Sequence, residues 1–374
     1  MSDLLSVNLR YSSVLFMFVV FFVFMISIST LSLYSKFFDG NLFKLKILIY
    51  TLLFGFRNDI GSDYRVYIDI FSGEKDPNEL ELFFDLLARV NTFLFDYIDL
   101  SGQFGILIVS FLMFFSLYVV IKNNVESGKC LFLDLIVFSC LILFTSTIRQ
   151  GLSATFLCLA IVYICGSKGK LKSAIVTFVF VFSHKTSLLF SFPLLFKLKV
   201  DTYYKYFFII LISMVINQFH VATFVTQTVL SLAGDSLSWR SVYIEENGRF
   251  KVDLNVYRLI LENIYLSLAV LMSIHFKGKL TIEQYDIIVV LSKIIIFSQV
   301  MLLCFSDFGV FISRVLFSSK LISILTIGIM FSYLNNANKI LLTIILIVNS
   351  SMFYLDELSV HNGDSYFDGS LFGL

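Results

Sequence analysis

Apolar runs of about 20 residues, the length a helix needs to cross a bilayer, recur along the whole of this chain. Ser13 to Tyr34 is the first, and others lie near 45 to 56, 103 to 121, 131 to 148, 151 to 166, 206 to 229, 257 to 275, 286 to 305, 314 to 333 and 339 to 354. Such repetition leaves no stretch in which a large aqueous domain could fold. Composition agrees: 58% of the 374 residues are hydrophobic and 15% charged, with a mean hydropathy of +0.88, which excludes a soluble cytosolic enzyme. The expectation is an all-α, polytopic integral membrane protein with about 10 to 12 transmembrane helices, read as a single membrane domain over residues 1–374. The first run has no basic leader and no small-residue cleavage pattern after it, so it reads as a retained span.

A net charge of +1 with no aromatic-basic ribbon excludes nucleic acid as a partner. Cys130, Cys140, Cys158, Cys165 and Cys304 lie in or beside apolar runs without C-x-x-C spacing, and the histidines are scattered. Neither a disulfide framework nor a metal or cofactor site is indicated.

Lysine placement sets the orientation, because short cytoplasmic loops retain basic residues. Lys36, Lys44 and Lys46, then Lys122 and Lys129, then Lys168, Lys170 and Lys172, then Lys197, Lys199 and Lys205, then Lys277 and Lys279, then Lys339 can all be cytoplasmic at once. That requires 172 to 196 to enter the membrane and return, as two short halves meeting at His184. It leaves outer loops near 57–102 and 231–256.

All nine arginines (Arg10, Arg57, Arg65, Arg89, Arg149, Arg240, Arg249, Arg258 and Arg314) then fall on the outer side or at outer helix ends. Orientation alone needs only lysine. A guanidinium binds phosphate oxygens through two donors and stays charged in a low-dielectric cleft, so the pattern points to an anionic, phosphate-bearing ligand outside. The bland alternative is that the arginines pair with nearby loop carboxylates.

The densest polar segment is Arg57-Asn58-Asp59-Ile60-Gly61-Ser62-Asp63-Tyr64-Arg65-Val66-Tyr67, where Gly61 permits a sharp turn and Tyr64, Tyr67 and Phe71 recur at helical spacing. Charges at a membrane surface are costly unless paired or used. Glu79 to Phe95 predicts a helix too polar to span and apolar enough to lie in the interface, with Glu81, Asp85 and Arg89 on one face. Arg149-Gln150 closes the outer half of a span, and His184-Lys185 marks the broken hairpin.

Arg57-x3-Gly61-x-Asp63-Tyr64-x2-Tyr67-x3-Phe71, then Glu79 or Glu81 before Phe83-Phe84, then Arg149-Gln150 and His184-Lys185-Thr186-Ser187, resembles the EpsG family of exopolysaccharide and O-antigen polymerases, the Wzy-type proteins. The resemblance implies a GT-C-like, metal-independent membrane glycosyltransferase of the bacterial inner membrane, with its site facing the periplasm or exterior. It would move a glycan from an undecaprenyl-diphosphate-linked oligosaccharide onto the end sugar of a second lipid-linked unit, with a chain-length regulator protein as a partner. Under that reading Arg57, Arg149 and Arg314, with Lys185 assisting, bind the diphosphate. Asp63, His184 and Glu81 are the candidate bases. Tyr64, Tyr67, Trp239 and Arg240 are the candidate sugar contacts. Two other readings stay open: O-antigen ligase, using the same donor, and a flippase or transporter, for which Lys293 and Lys320 within spans speak.

Overall fold

The computed structural model describes residues 19–58, 60–61, 63–75, 81–95, 97–98, 100–166, 169–184, 187–195, 200–219, 256–305 and 309–360. Among them the chain is all-helical, with no strand, as a bilayer demands of any segment whose backbone must satisfy its own hydrogen bonds. Among the described residues, five helices are long and apolar enough to cross a membrane: Ser101–Asn124, Ile148–Cys165, Ile282–Cys304, Arg314–Tyr333 and Asn336–Leu355. Of the other expected spans, that over 131–148 is broken into shorter helices, and those over 13–34 and 206–229 run beyond the described residues. The chain forms two compact units, one of residues 1–187 with 328–374 and one of residues 188–327.

The first unit contains α1 (Val19–Ser32), α2 (Lys36–Gly55), α3 (Tyr64–Phe71), α4 (Leu82–Phe95), α5 (Ser101–Asn124), α6 (Lys129–Ser139), α7 (Leu141–Thr145), α8 (Ile148–Cys165) and α9 (Lys170–Ser183). Helix α2 corrects the sequence reading. The segment 35–46, expected as a polar linker, is helical from its first turn, with Ser35 accepting from Phe38 N as the N-cap. Lys46, expected as a cytoplasmic anchor, is 1% exposed. Its ammonium donates to Asp134 Oδ2 on α6 at 2.6 Å, Ser29 Oγ at 2.8 Å and Met25 O at 2.8 Å, and Tyr50 donates to the other Asp134 oxygen at 2.7 Å. A buried charge persists in an apolar core only with such a shell of partners.

Helices α2 and α5 are antiparallel: Phe43 stacks on Tyr118, Tyr50 on Phe114, and Gly55 lies against Leu107. The expected single span over 131–148 breaks at Cys140 and again at Ser146-Thr147, giving α6, α7 and the start of α8. Gly151 lets α8 lie directly against the Leu143 carbonyl, where any Cβ would collide. Expected as an interfacial helix, α4 buries Phe84, Ala88 and Asn91 and exposes Leu82, Leu86 and Phe93.

The second unit contains α10 (Ser187–Ser191, its first residue in the first unit), α11 (Tyr203–Gln218), α12 (Val256–Phe276), α13 (Ile282–Cys304) and most of α14 (Gly309–Met330); α15 (Asn336–Val360) returns to the first unit. Helix contacts there rest on polar groups, which hold helices together where lipid and protein are equally apolar. Tyr206 donates to Gln299 Oε1 at 2.9 Å and lies 3.0 Å from Ser267 Oγ, Gln299 donates to Asn263 at 3.0 Å, and Lys320 pairs with Glu262 at 3.1 Å.

Candidate functional site

Helix α2 ends facing the start of α5, and its last carbonyls have no partner inside the helix. Side chains supply the donors. Arg57, 1% exposed, donates from Nη1 to Phe54 O at 2.5 Å, from Nε to Ile60 O at 3.1 Å and from Nη2 to Thr145 O at 3.0 Å. Thr145 is the last residue of α7, so one guanidinium holds the carbonyl ends of two helices, where their dipoles favour a cation. Its carbon lies 5.8 Å from the Tyr64 ring centroid. Gln103 completes the knot, accepting from Tyr64 Oη at 2.6 Å and donating to the Gly55 carbonyl and, at 3.2 Å, to Arg57 O.

Gly61 carries the chain from Arg57 into α3 with φ +103°, and a Cβ there would lie 2.5 Å from Thr145 O. Both the left-handed conformation and the contact require glycine. The turn foreseen in the sequence is therefore clamped against the α7–α8 elbow.

Arg149, in the first turn of α8, occupies the positive end of that helix, an unfavourable place for a cation unless an anion offsets it. The anion is Glu81, whose backbone oxygen accepts from Asp85 N at 3.0 Å as the start of α4. Arg149 Nη1 lies 2.6 Å from Glu81 Oε2, with the side chains 28% and 10% exposed, and Arg149 Nε donates to Tyr67 Oη at 3.3 Å. Burial pushes the Tyr67 phenol up from its ordinary pKa, with Arg149 opposing and Asp63 reinforcing the shift. Tyr67 is thus a neutral hydroxyl at physiological pH. Asp63, half-buried, directly precedes α3.

His184 ends α9 in an extended conformation, as the expected break required. Ser153 of α8 donates to Phe180 O of α9 at 3.3 Å. One turn further along each antiparallel helix brings Arg149 and His184 to the same level. Arg57, Asp63, Tyr67, Glu81, Arg149 and His184 thus share the end of the first unit opposite Lys36, Lys122 and Lys129. Asp85 is occupied otherwise, pairing with Arg89 at 2.8 Å on the exposed face of α4.

The structure places the expected ligand contacts as follows. Arg57, expected to offer its fork to a diphosphate, turns it onto backbone carbonyls. Tyr64 and Tyr67, expected to stack on sugars, are 6% and 3% exposed, their rings packed into the unit. Arg314 lies on α14 in the second unit and is exposed. Lys185, Trp239, Arg240 and Glu79 fall outside the described residues. Sequence reasoning missed Gln103 and Asn91. Asn91 donates to Phe71 O at 2.9 Å and to Ser101 O at 3.0 Å, fastening the end of α3 and the start of α5 onto α4. An amide carries no charge pattern; the Ser101-Gly102-Gln103 start of α5 was the one available hint.

These features define the class: a polytopic membrane protein with a knotted, charged end built from the turns after α2, before α4 and before α8. The chain belongs to the EpsG family, a Wzy-like polymerase family, whose model matches residues 40–368. No curated protein and no solved structure matches it.

Proposed function

We propose that this protein is a membrane glycosyltransferase that polymerises polysaccharide repeat units of the O-antigen or exopolysaccharide kind. It acts in the bacterial cytoplasmic membrane, with the arginine end facing the periplasm or exterior. The donor is an undecaprenyl-diphosphate-linked oligosaccharide and the acceptor is the end sugar of a second lipid-linked unit. The anomeric C–O bond to the diphosphate breaks and its electron pair leaves with the lipid diphosphate. The acceptor hydroxyl oxygen forms the new C–O bond and gives its proton to a base.

The observation that carries this reading is the Arg149–Glu81–Tyr67 cluster, a part-exposed guanidinium held at a helix N-terminus by a carboxylate and a phenol. A cation fixed in advance stabilises charge developing on a leaving diphosphate without reorganising at the moment of reaction. Glu81, with one oxygen on Arg149, is the positioning residue, which leaves Asp63 and His184 as the candidate bases. Arg57 and Gln103 hold the turn that carries Asp63. Lys185 and Arg314 retain their proposed roles toward the diphosphate, and Trp239 and Arg240 theirs toward sugar. Of the two intramembrane lysines that favoured a transporter, Lys293 and Lys320, the second is paired with Glu262, as a structural charge is.

Gene deletion in a strain that makes a repeat-unit polysaccharide tests the reading. Surface glycan capped by single units is expected. Complete absence of surface repeats would identify a flippase, and lipid-linked polymer that never reaches its final acceptor would identify a ligase. Complementation with R149K, which keeps the charge and loses the fork, should leave single units while the protein still accumulates in the membrane. Full-length ladders from R149K would overturn the role of Arg149.

A further inference from the structure

At the lysine end of the first unit lies a hollow of about 240 Å³. Lys36, Phe37 and Lys44 of α2, Tyr118 and Lys122 of α5, and Lys129 at the start of α6 line it. Four lysines from three helices thus meet around one space, and none forms an ion pair among the described residues. The buried carboxylate of this region, Asp39, forms no ion pair with any of the four among the described residues. It caps α6, accepting from Lys129 N and Cys130 N at 3.0 Å each, and accepts from Ser32 Oγ at 3.2 Å. Glu126, in the loop between α5 and α6, is exposed and forms no ion pair among the described residues either. The ammonium of Lys122 lies 5.2 Å from the Tyr118 ring centroid, which holds that cation at the wall of the hollow.

Orientation in the bilayer requires lysines on the cytoplasmic side, but not that they converge. Converging like charges repel unless an anion joins them. The hollow also opens onto apolar surface. Along α2 the exposed residues Leu45, Leu48 and Leu52 continue the row of Asn41 and Lys44, and along α5 the exposed Phe115 and Phe111 continue the row of Lys122 and Tyr118. These rows run side by side away from the lysines because α2 and α5 are packed antiparallel, and they offer acyl chains a track that begins at the cationic hollow. The volume is below the roughly 300–1,000 Å³ of sites that enclose a whole drug-sized ligand. It suits a phosphate with the start of its glycerol, the chains lying outside.

We propose that this hollow is a binding site for the phosphate of an anionic phospholipid of the cytoplasmic leaflet, with the acyl chains along the α2–α5 rows. Basic hollows between transmembrane helices on the cytoplasmic side suit such headgroups. The site lies at the opposite end of the unit from Arg149 and is independent of the proposed polymerase reaction.

The test uses the full-length protein in neutral detergent, with phosphatidylglycerol, phosphatidylcholine of the same chains, and inorganic phosphate as three separate probes. Lipid retained after gel filtration and the apparent melting temperature are the readouts. Phosphatidylglycerol is expected to be retained and to raise the melting temperature, while phosphatidylcholine and inorganic phosphate leave both unchanged. The exposed pair K36Q/K44Q is expected to lower phosphatidylglycerol affinity roughly 25-fold, from roughly fivefold per lysine, and K36R/K44R to restore it. Should K36Q/K44Q fail to accumulate, K122Q carries the same test with a roughly fivefold loss expected. Equal retention of the two lipids, or unchanged affinity in the glutamine variants, would overturn the proposal. A shift produced by inorganic phosphate alone would overturn the lipid assignment in favour of a soluble anion.

Discussion

Replacing Arg57 by lysine separates an architectural arginine from a reactive one. The native guanidinium makes three bonds to backbone carbonyls, at Phe54, Ile60 and Thr145, from a site 1% exposed. A lysine ammonium on a single flexible stem cannot reach three acceptors arrayed around a planar fork; it keeps one. Two bonds from a charged donor are lost, at about 1.5–3 kcal/mol each, so R57K should cost about 3–6 kcal/mol. That is a large part of the roughly 5–15 kcal/mol that holds a protein folded. The carbonyl ends of α2 and α7 would loosen together. The assay is detergent-solubilised, fluorescently tagged protein followed by size-exclusion chromatography after heating. R57K should give a low folded yield and a much reduced apparent melting temperature, whereas R149K, whose side chain is 28% exposed, should behave nearly as wild type. An R57K protein with native yield and melting temperature but no polymer would refute this assignment and return Arg57 to the chemistry.

Two other substitutions test the frame around the site. G61A should be destabilised by about 1–3 kcal/mol from the backbone alone, with a further cost from the Cβ that would sit 2.5 Å from Thr145 O; G40A, whose Cβ meets nothing within 4 Å, is the matched control and should not lower the melting temperature. K46M leaves Asp134 buried without its cation and should cost about 3–5 kcal/mol, while K46M/D134L, which removes both charges, should recover a large part of that loss; a double variant no better than K46M would contradict it.

The membrane-spanning character was legible because apolar periodicity is a local property. The runs read at 103–121 and 286–305 became helices Ser101–Asn124 and Ile282–Cys304. The turn at Gly61 and the helix carrying Tyr64, Tyr67 and Phe71 were also legible, since conformational demand and face spacing are written in neighbouring residues. Lys46 was misread as a loop lysine because its partner Asp134 lies 88 positions away, and nothing local distinguishes a buried ammonium from an anchoring one. The backbone bonds of Arg57 were illegible for a related reason: they go to carbonyl oxygens, which every residue carries and no sequence pattern marks. Arg149 and Glu81 were named separately, but their pairing across 68 positions came only with the fold.

The most direct test of polymerase activity is reconstitution. Purified wild-type protein, given undecaprenyl-diphosphate-linked repeat units extracted from the deletion strain, should convert them into a ladder of longer glycans while releasing one undecaprenyl diphosphate per linkage formed. Lipid-linked units that remain single in the presence of folded protein, with no diphosphate released, would contradict the account.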